Sequence, residues 1–228
     1  MVGRIIYRCE KGRERSFREN LFGLPVLNLF LFDLPGSSKK RLERRLEKIE
    51  LTCYKERVKR VLLPERFPYT QRLSWLQPVS TVTFYRAVAD VLVIKLLERK
   101  GISPPQSRVA LSAPRACPEL LHTARSLCRS VREIRIDIPG EEGERVAQEL
   151  QRQFGVPVVP PDVPADVTLS FGGETGDLQL WEEKANLSGL RLRAHGMDIP
   201  DEVEQQVLAL LWERGRLKRD ELWVEDNG

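Results

Sequence analysis

The residues with the strongest claim to chemistry lie in VALSAPRACPELLHTA, 109–124, which is patterned as a strand, a sharp turn and the first turns of a helix. In α/β proteins that junction holds phosphate groups at the helix N-terminus. A dinucleotide turn needs glycines for the tight bend, for close backbone approach to the pyrophosphate and for packing helix on strand. Here the turn is Ser112-Ala113-Pro114-Arg115-Ala116-Cys117, without a glycine. Pro114 also removes a backbone donor. Small residues at 112, 113 and 116 allow a compact turn, and Arg115 offers a side-chain contact to phosphate, but the backbone cradle is missing. Asp137 ends the strand EIRID, near where such folds place the acid that binds the ribose hydroxyls. Gly172 and Gly173 follow DVTLSF, where open α/β sheets carry ligand loops. A site gathered from Ser112, Arg115, Asp137, Gly172 and Gly173 would take NAD rather than NADP, because the neighbouring acids disfavour a 2′-phosphate.

Other chemistries find less support. Cys9, Cys53, Cys117 and Cys128 include no CxxC pair and no ligand-spaced histidine, so no zinc site is expected. Cys117 and Cys128 return to nearly the same helix face, and both are expected in the core. With His122 and His195 the only histidines and no GxSxG, neither a histidine metal site nor a serine triad is signalled. FGGETGD, with Glu174 and Asp177, reads as a ligand loop or a plain turn, the turn being favoured. Asp166, Glu182 and Lys184 have the residue types of a Mg²⁺ nuclease, but Asp166 starts its strand, at the wrong end for a shared site. Phe84, Tyr85, Arg86 and Asp90 read as core plus one exposed ion pair.

A second candidate is SSKKRLERRLEKIELTCYKERVKR. Its Lys39, Lys40, Arg41, Arg44, Arg45 and Lys48 could contact the phosphates of a nucleic acid. Glu43, Glu47 and Glu50 are interleaved at spacings that form i,i+4 pairs, so a solvated helix face is the preferred reading, and no aromatic stacking set accompanies the helix. Charge is graded along the chain: residues 1–66 carry +8, 67–139 carry +6 and 140–228 carry −10. This suggests a basic face for an anionic partner or head-to-tail self-association.

The elements that must position these residues alternate. Strands are expected at 4–9, 26–32 and 60–63, with a helix capped by Ser37 or Ser38 whose stripe is Leu42, Leu46, Ile49 and Cys53. One apolar helix is expected over 81–100, ended by Gly101. Then follow strand 108–112, helix 118–131, strand 133–138, helix 143–154, and strands 156–159 and 166–171. An antiparallel pair at 178–182 and 188–193, a helix at 201–214 and a short end at WVED complete the chain. The stretch VREIRIDIPGEEGERVAQELQRQFGV, 131–156, resembles the second strand and helix of shikimate-dehydrogenase-type nucleotide domains. That resemblance covers one βα unit, and no function is carried across from it.

The fold expected is α/β, a mostly parallel Rossmann-like sheet with helices on both faces plus a C-terminal β-hairpin and helix. A basic βαβ lobe over 1–66, a connection with a buried helix over 67–105 and a degenerate Rossmann-like lobe over 106–228 are expected, or one compact unit. The apolar stretch LFGLPVLNLFLFDLP, 21–35, is too short and too polar to span a membrane, so no membrane is expected and the location expected is cytoplasmic. The function expected is binding, regulation or assembly through a protein partner or self-association. An NAD- or nucleotide-dependent enzyme and a nucleic-acid binder through the 39–60 helix are the alternatives.

Overall fold

The computed structural model describes residues 1–228 except Glu14, Pro35, Ser37, Glu174, Glu182, Glu183, Asn227, Gly228 and the side chain of Lys184. The chain divides into two compact units, Met1–Ser80 with Met197–Arg216, and Thr81–Gly196 with Leu217–Gly228.

The first unit contains β1 (Val2–Arg8), β2 (Ser16–Leu21), β3 (Leu24–Phe32), α1 (Lys39–Lys55), β4 (Arg60–Leu62) and β5 (Gln77–Pro78). Its sheet order is β2-β3-β1-β4-β5, with β2 antiparallel to β3 and the remaining pairs parallel. The expected strand at 26–32 is β3, and its consecutive residues Val26, Leu27, Asn28 and Leu29 are all buried, as in a strand covered on both faces. Leu42, Leu46, Ile49 and Cys53 of α1 pack with Ile5, Leu27, Leu29 and Leu31, so the helical stripe read from the sequence is the buried one. Capping differs. Ser38 holds the N-cap position without a side-chain cap bond, and Ser37 lies outside the described residues.

β2 lies outside the strands expected from the sequence. Its residues are exposed or half-buried throughout, so it has no hydrophobic alternation to betray it, and its charged side chains suit an edge strand. Residues 21–32 of that apolar stretch are thus the end of β2, a turn and β3. Among the described residues no helix is long and apolar enough to cross a membrane.

The second unit contains α2 (Val82–Ala87), α3 (Ala89–Arg99), β6 (Arg108–Ser112), α4 (Pro118–Leu127), β7 (Glu133–Asp137), α5 (Glu141–Phe154) and β8 (Val158–Val159). They are followed by β9 (Val167–Ser170), β10 (Leu178–Trp181), β11 (Lys184–Asn186) and β12 (Leu190–Ala194). α6 (Glu204–Glu213) belongs to the first unit, and β13 (Leu222–Asp226) returns to the second. The main sheet runs β11-β10-β9-β6-β7-β8 and is parallel except for β11. Numbered from β6, the order 3-2-1-4-5 is that of a Rossmann fold, so the unit is α/β and Rossmann-like. Val109, Ala110 and Leu111 are consecutive and all buried, so the central strand is covered on both faces.

The expected single helix over 81–100 is broken at Val88, which leaves helical geometry at φ −119° and ψ 21° and separates α2 from α3. Helix 118–131 ends earlier, at Leu127. The expected pairing of 178–182 with 188–193 does not form: β10 pairs with β11, and β12 pairs antiparallel with β13 through Leu192 and Val224. Register there is set by a partner distant in sequence, which local patterning does not reveal.

Folding also redistributes charge. Because the acidic segment around α6 joins the first unit, that unit holds 20 Lys and Arg against 14 Asp and Glu, and the second holds 17 against 19.

Candidate functional site

Strand register brings several of the sequence-selected residues to one sheet edge. Ser112 is the register partner of Asp137 across β6 and β7, and of Ser170 across β6 and β9. Gly172 and Gly173 follow after Phe171, at the carboxyl ends of the parallel strands, where open α/β sheets bind ligands. Arg115 is exposed in the turn beyond β6 and makes no ion pair among the described residues.

That edge is occupied by the chain's own groups. A Cβ built on Gly172 would lie 2.2 Å from Pro114 Cδ and 2.9 Å from Cγ, so the proline ring lies in the space a side chain at 172 would fill. The missing side chain at 172 admits Pro114, which stands in the turn after β6 where dinucleotide folds carry their phosphate-binding glycines. The Ala113 N–H donates to the Asp137 carbonyl at 3.2 Å, and the Phe171 N–H donates to the Ser112 carbonyl at 2.8 Å. These turn groups are therefore already engaged.

Asp137 is similarly held. Arg135 Nε and Nη2 donate to Asp137 Oδ2 at 3.0 and 2.7 Å, and Arg135 Nη1 donates to the Val163 carbonyl at 2.7 Å. The other oxygen, Oδ1, has no partner among the described residues but is itself buried, so a ribose hydroxyl reaches it only if the edge rearranges.

Arg86, on α2, supplies a third closure that sequence reasoning missed. Its Nε and Nη2 donate to the Leu180 carbonyl at 3.0 and 2.8 Å, and Nη2 also reaches the Phe171 carbonyl at 3.0 Å. The expected Arg86–Asp90 ion pair is replaced by these contacts. Asp90 is buried and accepts hydrogen bonds from Ser126 and Arg219. An arginine that reaches a carbonyl of β10 and the carbonyl just past β9 leaves no local signal, because its acceptors lie far along the chain.

FGGETGD is a short connection before the next strand, in keeping with the plain turn favoured from the sequence. It is the whole connection between β9 and β10, which are parallel, whereas such strands usually need a crossover of a dozen residues or more. Asp177 closes it, with Oδ2 accepting the Thr168 N–H at 2.8 Å and its hydroxyl at 2.9 Å, and Oδ1 accepting Lys100 Nζ at 2.7 Å. Burial opposes the charge on Asp177, but the Lys100 and Thr168 hydrogen bonds prevail and hold its carboxyl below the usual value. Glu174 lies outside the described residues. Asp166 Oδ2 accepts the Arg108 N–H at 2.7 Å, and Glu182 and the Lys184 side chain also lie outside the description. Cys117, at the start of α4, is half-buried, and burial raises its thiol pKa, which suits packing better than nucleophilic attack.

In the first unit, Lys39, Lys40, Arg41, Arg44 and Lys48 lie on exposed positions of α1. Arg45 instead donates to the Phe32 carbonyl, and with Arg15 and Lys48 it lines a pocket of about 100 Å³. Two of the interleaved acids do not serve i,i+4 pairing as expected. Glu43 lies 3.8 Å from Arg72, and Glu50 accepts the backbone N–H groups of Ser74 and Trp75. The connection after β4 brings those partners beside the helix.

The chain matches no protein-family model and no curated protein. Among solved structures it is similar to L-tryptophan dehydrogenase from Nostoc punctiforme, at 16% identity and a TM-score of 0.32, over 66% of this chain and 44% of that one. The chain therefore spans less than half the length of that structure.

Proposed function

We propose that the protein acts by binding, in a regulatory or assembly role, and that the Rossmann-like sheet is a scaffold rather than a dinucleotide site. The observation that carries this reading is the Pro114 ring seated on Gly172. It fills the approach a pyrophosphate would need, in a turn whose proline has already removed one donor. The holds of Arg135 on Asp137 and of Arg86 on Phe171 and Leu180 support it further. Fluorescence titration of NADH with the full chain tests it. No saturable change is expected up to about 1 mM ligand; saturation in the micromolar range would favour the dehydrogenase-like alternative.

A further inference from the structure

The sequence offers a cationic helix with no aromatic set beside it, and the fold supplies one. Tyr54, in the last turn of α1, is 70% exposed. Trp75, from the connection that precedes β5, meets it edge to face, with ring centroids 5.9 Å apart and planes at 88°. Trp75 is held from two sides. Its ring packs against the core of the first unit, and Glu50 Oε1 accepts the N–H groups of Ser74 at 2.5 Å and Trp75 at 3.4 Å. Tyr54 and Trp75, with Lys55, Arg57 and Lys59, line an open pocket of about 720 Å³.

The charges around the rings are unbalanced. Glu50 is occupied by the two backbone amides, and Glu56 is paired with Arg18. Among the described residues, Lys55, Arg57 and Lys59 make no ion pair. These cations stand in the unit that carries the excess of Lys and Arg.

Arg57 provides an independent observation. α1 ends in a Schellman motif, with the Arg57 N–H donating to the Tyr54 carbonyl at 3.0 Å and the Val58 N–H to the Cys53 carbonyl at 2.8 Å. The residue at that position takes a left-handed conformation, and Arg57 has φ +54°. Glycine is the usual occupant, because any side chain is disfavoured there. An arginine therefore stands, beside two aromatic rings, where folding alone favours glycine.

We propose that this surface binds single-stranded nucleic acid, with bases stacking on the Tyr54 and Trp75 rings and phosphates meeting Lys55, Arg57 and Lys59. Aromatic faces flanked by unpaired cations are the two parts such binding requires. A duplex keeps its bases inside the stack and cannot use the rings. The site lies wholly in the first unit and stands whether or not the second unit takes a dinucleotide.

The test is fluorescence polarisation of a labelled oligothymidylate of about 12 nucleotides against the full chain at low salt. Saturable binding is expected, weakening with salt at a log–log slope of about 2, from roughly 0.7 per phosphate met by three cations. Tyr54→Ala should weaken it about 5- to 150-fold, the range for losing one stacked base. Trp75→Phe should retain it. Arg57→Gly should weaken binding several-fold while raising the melting temperature, a split that a purely structural residue would not produce. No saturable binding by a folded chain would overturn the proposal, as would affinity unchanged in Tyr54→Ala and Arg57→Gly. Equal affinity for an abasic strand or a duplex would also overturn it, by reducing the surface to charge alone. Adsorption to phosphatidylserine vesicles without oligonucleotide binding would replace it with a lipid-facing surface.

Discussion

Pro114 and Gly172 are complementary: the proline ring occupies the volume that a side chain at 172 would need, with Cδ 2.2 Å from that notional Cβ. Gly172 is not in the left-handed region, so space rather than backbone conformation demands glycine here. Gly172→Ala should lower stability by about 1–3 kcal/mol, the usual cost of overpacking. In a Pro114→Ala background the same change should cost distinctly less. Denaturant unfolding of the four proteins measures the coupling, and additive effects would mean that the two residues do not share this space.

Asp177 gives a pH prediction. Its carboxyl is held below the ordinary value of 3.8 because the hydrogen bonds from Lys100 and Thr168 outweigh burial. The stability it contributes is therefore complete above that ordinary value and lost as pH falls through the lowered one. Melting temperature should fall over that acid range, and the fall should be shallower in Asp177→Asn, which should also melt earlier at neutral pH. Parallel acid profiles for the two proteins would contradict the assignment.

Thiol labelling should separate the cysteines by burial. Burial pushes Cys53 up to about 12 and Cys128 up to about 11, whereas Cys9 is exposed. At about pH 8 a thiol-specific reagent should modify Cys9 rapidly and leave Cys53 and Cys128 untouched until the chain unfolds. Mass spectrometry of the labelled peptides checks this, and early modification of Cys53 would show that the packing under α1 opens in the native state.

Asn28 is fully buried on β3, and neither amide atom has a partner among the described residues. Replacing both unsatisfied groups by a strand-forming apolar side chain, Asn28→Val, should raise stability by about 1 kcal/mol. Loss of stability instead would mean that the amide holds a partner of its own, such as a buried water.

The parts of the molecule that were legible in the sequence are those whose signals are local. β6, its turn and α4 follow from an apolar strand, Pro118 at the first helical position and a periodic stripe. α5 was legible for a similar reason, ending where Gly155 takes the left-handed conformation. β2 escaped because an exposed edge strand has no buried face to pattern. The β12–β13 pairing escaped because the partners lie about thirty residues apart, joined through a helix of the other unit.

The candidate site divides the same way. Ser112, Asp137 and Gly172 could be placed on one edge from strand ends alone. What closes that edge could not: the Pro114 ring on Gly172 and the Arg86 guanidinium on the Leu180 carbonyl are contacts between distant segments. Trp75 was likewise invisible as the companion of Tyr54, because its place depends on Glu50 receiving the turn that carries it.

The most direct test of the closed edge is thermal unfolding of the full chain with NAD(H), NADP(H), ATP and S-adenosylmethionine in turn. A ligand at about 100 times its dissociation constant adds roughly 2.7 kcal/mol, about 5–10 °C for a chain of this size. No shift is expected with any of the four. A shift with NAD that disappears in Asp137→Ala would contradict this, because the edge that Pro114, Arg86 and Arg135 occupy would then be a working dinucleotide site.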